Sequence, residues 1–179
     1  MKKLFNIGLS LVFSAPHLLF AQTGPGGVGN GTGASSQPRN VVWLRADAGV
    51  TPAGTEVVTW ADQSGNSLIG TGSVGTGLSR PLFVASDPNF NNLPVINFAP
   101  TANNRHIVIP DNDILDNATG FSLLVVFRAN ATGGNSALIS KRTTVGVDQS
   151  YMTWVNAGQL SSRADASTIT GGTINNTTT

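Results

Sequence analysis

The sequence predicts an all-β fold, an antiparallel two-sheet β-sandwich of the jelly-roll kind that begins near residue 40. From there on, short apolar runs alternate with a period of two and are separated by Gly, Asn, Asp and Pro, which is typical of strands joined by turns. Composition argues against helix, because after residue 21 the chain holds a single Glu (Glu56) and a single Lys (Lys141). Stabilising Glu–Lys pairs therefore cannot form, and the frequent Thr, Asn, Gly and Val are mediocre or poor helix formers.

Eight segments carry the strand pattern. They are Val41–Asp47, Glu56–Asp62, Val95–Phe98, Arg105–Ile109, Phe121–Arg128, Ala137–Lys141, Tyr151–Asn156 and Gln159–Arg163. The fifth is apolar on both faces, which predicts a central strand covered on both sides. Only Asp111–Asn117 suits a short turn of helix. Residues 168–179 are rich in Thr, Asn and Gly and show no capping strand, so they are either a linker or the point at which a longer sandwich is truncated; we favour truncation.

The N-terminal segment, residues 1–21, has the plan of a signal peptide. Two lysines precede an apolar run that ends at Phe20, and the small Ala21 suits the residue before a cleavage site. Residues 22–39 are rich in Gly, Ser and Pro and predict a flexible linker. Residues 40–179 then form the sandwich domain. We expect an exported protein, secreted or held at the cell surface, without a transmembrane segment in the mature chain.

Charge and cysteine content exclude several classes of protein. The chain has 10 basic and 9 acidic residues, and removing the two lysines of the signal peptide leaves 8 basic residues and a net charge of −1. Such a balance excludes an electrostatic binder of nucleic acid. The absence of cysteine excludes disulfides, Cys-ligated zinc and thiol catalysis.

Five segments follow one another in a distinctive order: Val41–Asp47, Val57–Asn66, Arg80–Val84, Asn91–Phe98 and Phe121–Phe127. The second contains a Trp-x-Asp-x-Ser-Gly-Asn element. Over about residues 40–165 the chain resembles the laminin-G-like (LamG-like) domain of the concanavalin A-like lectin/glucanase superfamily, which occurs in secreted bacterial surface proteins. The resemblance implies a jelly roll that binds carbohydrate, supports cell adhesion or hydrolyses glycosides. In some relatives Asp side chains and backbone carbonyls bind calcium at the rim of the sandwich.

The residues needed for catalysis are scarce. Glycoside hydrolysis uses two facing carboxylates, but Glu56 has no acidic companion at the spacing of the glucanase branch. A histidine triad would have to use His106, and no Gly-x-Ser-x-Gly element presents a serine to it. Gly24–Gly29 and Gly70–Gly75 match the letters of a dinucleotide fingerprint, yet neither opens a helix that could hold a pyrophosphate. We interpret the first as linker and the second as a flexible loop, and predict no catalytic residues.

An acidic cluster is the candidate metal site. Asp111, Asp113 and Asp116 offer hard oxygen ligands within a few residues of one another, which suits calcium. The alternative is a solvated loop with Asx turns and a helix cap at Asp113 or Asp116. Calcium therefore stays an open prediction, with the solvated loop preferred.

A second polar element follows the strand that ends near residue 62. Asp62 and Ser64 can accept hydrogen bonds from nearby backbone N–H groups, and Gly65 or Asn66 can adopt positive φ. These four residues predict a structural turn. The alternative is a loop that touches a ligand at the rim of the sandwich.

Carbohydrate recognition requires an exposed aromatic face with polar groups beside it. Trp43 and Trp60 belong to early strands and are predicted to lie in the core. Tyr151 and Trp154 alternate onto opposite faces of one strand, so at most one of them points outward. The candidate ligand-binding residues are accordingly Tyr151 and Trp154, together with Arg163.

Three functions remain. The first is a non-catalytic recognition module that binds glycan or extracellular matrix in an adhesion protein. The second is a structural spacer in a multi-domain surface protein. The third is the non-catalytic part of a glycoside hydrolase whose active site lies beyond Thr179.

Overall fold

The computed structural model describes residues 40–99, 104–116, 121–129, 135–142, 149–164 and 167–173. The predicted signal peptide and linker lie outside these ranges. Within them the chain forms twelve strands and two 3-10 helices, Pro88–Phe90 and Asp113–Leu115. The strands are β1 (Val50–Ala53), β2 (Glu56–Ala61), β3 (Ile69–Gly72), β4 (Leu78–Ser79), β5 (Leu82–Asp87), β6 (Leu93–Asn97), β7 (Asn104–Arg105), β8 (Ile107–Val108), β9 (Asn135–Arg142), β10 (Gln149–Asn156), β11 (Gln159–Ala164) and β12 (Ser167–Thr173).

The first sheet is antiparallel and has six strands in the order β6-β5-β2-β3-β8, with β1 also paired to β2. β1 and β2 form a hairpin in which Ala53 lies opposite Glu56, and Gly54 in the turn adopts a φ of 61°. Positive φ is the conformation that two-residue hairpin turns require and that glycine adopts without steric cost. The strand predicted at Glu56–Asp62 is confirmed as β2, which lies in the middle of this sheet.

The second sheet is an antiparallel meander of four strands in the order β12-β11-β10-β9. β10 and β11 are joined by Ala157 and Gly158, whose φ values of 45° and 79° are both positive, as a two-residue hairpin turn of the primed type requires. The strands predicted at Tyr151–Asn156 and Gln159–Arg163 are confirmed here. β4 and β7 form a separate parallel pair. Antiparallel sheets with almost no helix in the described ranges confirm the all-β class.

Two glycines of β3 explain why that strand was missed in the sequence. Gly70 and Gly72 are buried and paired within the sheet, so the prediction of a flexible loop at Gly70–Gly75 is wrong at its start. A Cβ atom on Gly72 would lie 2.1 Å from the carbonyl oxygen of Val57, and one on Gly70 would lie 2.5 Å from Ile107 Cγ2. Glycine in a strand often marks such a close approach.

Two further strand predictions are corrected by the structure. Arg105–Ile109 is not one strand but two, since β7 pairs with β4 and β8 pairs with β3. The C-terminal stretch predicted to lack a capping strand contains β12, in which Ile169 lies opposite Ser162. Thr and Ile are β-branched and favour strands. In the structure this polar segment pairs with β11, which supplies partners for its backbone hydrogen bonds.

The prediction of a buried central strand at Phe121–Arg128 is wrong. Residues 121–129 form no strand, and no strand of the described residues pairs with them. Leu124 and Val126 are 73% and 80% exposed, whereas Phe121 packs on the ring of Tyr151 with 4.8 Å between centroids. An alternating pattern specifies an extended backbone, but it does not specify which strand will lie beside it.

The buried apolar residues lie in separate parts of the structure. Val57 is fully buried in the first sheet, and Leu68 follows the Asp62–Asn66 loop. Val155 is buried in the second sheet, and Leu115 in the 3-10 helix that lies between Asp111 and Asp116. None of the helices in the described residues is long and apolar enough to cross a membrane.

Candidate functional site

The Asp62–Asn66 loop is a buried polar element that holds a distant part of the chain. Asp62 Oδ1 accepts hydrogen bonds from the backbone N–H of Trp43, at 2.7 Å, and of Ser64, at 2.9 Å. The hydroxyl of Ser64 donates to the other carboxylate oxygen of Asp62. Gly65 adopts a φ of 96°. The predicted turn residues thus form a local turn, and the same carboxylate also binds a backbone group 19 residues away.

Asn66 extends this contact along the N-terminal segment. Its side-chain nitrogen donates to the carbonyl oxygens of Asn40, at 3.0 Å, and Val41, at 2.9 Å. The backbone N–H of Gln63 donates to the carbonyl oxygen of Trp43 at 2.8 Å. These contacts occupy backbone groups that a strand ladder would otherwise use. Accordingly, the strand predicted at Val41–Asp47 is wrong: the described residues there make one isolated bridge, Arg45 with Ala48.

Three side chains of this hydrogen-bonded segment lie close together, and we call them the indole corner: Trp43, Arg45 and Asp47. Arg45 donates from Nε and Nη2 to the two carboxylate oxygens of Asp47, at 2.9 Å and 2.6 Å. Its guanidinium carbon lies 5.0 Å from the centre of the Trp43 ring, within the range of cation–π attraction. The hydrogen bonds from Arg45 lower the pKa of Asp47, and those to Asp47 raise the pKa of Arg45.

Neither early tryptophan lies in the core, contrary to the prediction. Trp43 and Trp60 are both partly exposed. The indole N–H of Trp60 donates to the carbonyl oxygen of Arg45 at 2.7 Å, which holds the indole corner from a second side. A tryptophan can lie partly at the surface when its indole N–H has a hydrogen-bond acceptor, because the apolar part of the ring can still pack against the protein.

The predicted ligand-binding residues divide between the two faces of the second sheet. Met152 lies opposite Arg163 and Trp154 opposite Ser161, so Trp154 and Arg163 share one face as diagonal neighbours. Both are partly exposed. Tyr151 belongs to the other face. The structure therefore brings two of the three predicted residues together and separates the third.

Tyr151 instead belongs to a contact between the second sheet and the segments that precede it. Its ring packs at 46° to that of Phe121. Lys141 lies opposite Tyr151 in the sheet and pairs with Asp111, at 3.2 Å, and with Asp116. Burial raises the pKa of Tyr151, and the hydrogen bond to Asp116 raises the pKa of Lys141. We call Lys141, Asp111 and Asp116 the lysine cluster.

The acidic residues predicted to bind calcium do not converge on one point in the structure. Asp111 and Asp116 contact the ammonium group of Lys141, whereas Asp113 lies in the first turn of the 3-10 helix. The N-cap is Asn112, whose side chain accepts from the N–H of Ile114, and the C-cap is Asp116, one of the two residues predicted to cap the helix. Among the described residues, no group of three His, Asp or Glu side chains could hold a metal ion.

We expect millimolar calcium, the range in which extracellular modules bind it, to leave the melting temperature of the wild-type protein unchanged. The reason is that Lys141 already supplies positive charge to both Asp111 and Asp116. Thermal melts with calcium and with a chelator test this. The control is Lys141→Gln, which removes the competing ammonium. A calcium-dependent rise in the wild type that disappears in Asp113→Asn would contradict the expectation.

The indole corner is the candidate site that sequence reasoning missed. The sequence contained an indication of it, because in an extended backbone residues 43, 45 and 47 lie on one face. They carry an aromatic, a cationic and an anionic group. The prediction that Trp43 lies in the core removed this residue from the candidate binding residues. No protein-family model, curated protein or solved structure matches the chain.

Proposed function

We propose that this chain is a non-catalytic recognition module that binds glycan in an exported surface or adhesion protein, on a jelly-roll scaffold. One observation carries the proposal: Trp154 and Arg163 lie on the same face of an antiparallel sheet, and both are partly exposed. An aromatic ring can stack on the C–H face of a sugar, and a guanidinium offers several N–H donors to hydroxyl oxygens. The two antiparallel sheets are compatible with a jelly roll, and the N-terminal sequence supports export.

The arrangement of the remaining polar groups favours binding over hydrolysis. Glu56 is the single glutamate after residue 21, and its carboxylate pairs with the guanidinium of Arg80 at 3.4 Å. The carboxylates Asp111 and Asp116 pair with Lys141. Glycoside hydrolysis uses two carboxylates that face each other across the substrate, whereas each of these three carboxylates contacts a cationic side chain.

We expect the full chain to give signals on a glycan array, and we expect Trp154→Ala to weaken them about tenfold, the typical effect of removing an aromatic side chain at the centre of an interface. Trp154→Phe should retain part of the binding because it keeps a ring. The control is Glu56→Gln, an exposed residue of the first sheet that pairs with Arg80, which should change nothing. Melting curves of each variant separate lost binding from lost folding.

Two results would overturn this proposal. The absence of any array signal, with or without calcium, would leave a structural spacer as the better reading. Release of reducing sugar by the purified chain would point to a hydrolase.

A further inference from the structure

The indole corner has the features of a second binding site, and it lies about 100 residues before β10 and β11 in the sequence. Its side chains are accessible: Arg45 is 34% exposed and Asp47 is 45% exposed. Trp43 is partly exposed beside them. We propose that the indole corner is a subsite for an uncharged sugar unit with neighbouring hydroxyl groups, and this inference rests on the proposed glycan-binding function.

The hydrogen-bonding capacity of the corner suits hydroxyl groups. A guanidinium carries more N–H donors than the two that Arg45 gives to Asp47, and each carboxylate oxygen of Asp47 can accept another hydrogen bond. The corner therefore presents donors and acceptors side by side. A sugar hydroxyl both donates and accepts, so two adjacent hydroxyls can use both kinds of group. The exposed part of the Trp43 indole offers an apolar surface for the C–H groups of the same ring.

The charge of the corner selects an uncharged ligand. Arg45 and Asp47 compensate each other through two charge-assisted hydrogen bonds. A sulfated or carboxylated ligand that accepted hydrogen bonds from the remaining N–H groups of Arg45 would lie beside the negative charge of Asp47 and would be repelled by it. A neutral sugar adds its hydrogen bonds without breaking the existing pair.

The corner is also held in place before any ligand arrives. The backbone N–H and C=O of Trp43 are bound by Asp62 and by Gln63. The carbonyl oxygen of Arg45 is bound by the indole of Trp60. Preorganisation of this kind reduces the entropy that a ligand would otherwise lose in ordering the site.

The test uses the full chain with mannan, laminarin and xylan as neutral probes and with alginate and heparin as anionic probes. Binding is followed by tryptophan fluorescence, which reports on Trp43, Trp60 and Trp154 alone. We expect Asp47→Asn to weaken binding of a neutral probe about tenfold, the loss typical of a hydrogen bond to a charged group. Trp43→Phe should remove most of the fluorescence change. Glu56→Gln, which breaks the surface ion pair with Arg80, is the matched control and should change neither.

The outcomes separate this inference from the proposed function. If a neutral probe binds and only the Trp154 variants weaken it, the subsite is disproved while the recognition module stands. If Asp47→Asn strengthens binding of heparin or alginate and leaves the neutral probes unaffected, the corner binds anions and the inference is wrong. If none of the five probes and no glycan on the array binds, both proposals fail together. Unchanged melting temperatures in the variants are required for the supporting result.

Discussion

Replacing Asp62 by Ala is expected to lower the free energy of unfolding by about 3 kcal/mol, because buried N–H groups lose their acceptor. Asp62 is 9% exposed and accepts from the backbone of Trp43 and Ser64 and from the Ser64 hydroxyl. An alanine at this position leaves those donors without the acceptor that all three share. The segment that carries the indole corner should then detach locally. Urea unfolding followed by tryptophan fluorescence measures both effects.

Asp87→Ala is the matched control for this variant. Asp87 accepts from the backbone N–H of Asn89 at 2.8 Å in the same kind of Asx turn, but it lies at the surface and its contacts are local. We expect a clearly smaller loss of stability there, and Asp62→Asn, which retains one acceptor oxygen, should fall between the two. Equal losses in the Asp62→Ala and Asp87→Ala proteins would show that the long-range contact to Trp43 contributes nothing.

The second large effect is expected from Gly72→Ala. The added Cβ would lie 2.1 Å from the carbonyl oxygen of Val57 and 3.0 Å from Arg80 Cγ. Since Val57 is fully buried and Pro81 beside it is also fully buried, the backbone there cannot move aside without opening the first sheet. Overpacking of this kind costs about 3 kcal/mol. Thermal and urea unfolding should both show the loss.

Gly54→Ala separates the lack of space from the conformational freedom of glycine. Gly54 adopts a φ of 61° but has open space around the position of a Cβ, whereas Gly72 has no positive φ and no space. The Gly54 variant should lose about 1 kcal/mol through the left-handed conformation alone. If it were as unstable as the Gly72 variant, the close contact with Val57 would not be the cause. Gly54→Asn should recover part of the loss, because asparagine tolerates that conformation.

The all-β class and several strands could be predicted from local sequence patterns. Alternation over Glu56–Ala61, Tyr151–Asn156 and Gln159–Arg163 was enough, because the period of two is a local property of an extended backbone with one covered face. The shortage of Glu and Lys excluded helices for an equally local reason. The turn at Asp62–Asn66 was also foreseeable, since Asp and Ser bind backbone N–H groups two residues away. The opposite faces of Tyr151 and Trp154 followed from the same period.

Which of these segments pair or pack against one another could not be predicted from local patterns. Trp43 is held at the surface by residues about twenty positions further along the chain, so its core prediction failed although its strand pattern was good. Residues 121–129 have the pattern of a central strand but no strand neighbour among the described residues. Lys141 pairs with Asp111 and Asp116, a contact across about 25 to 30 residues that the spacing of the acidic residues does not indicate. Periodicity specifies a backbone conformation and a face, whereas a pairing partner depends on where the rest of the chain lies in space.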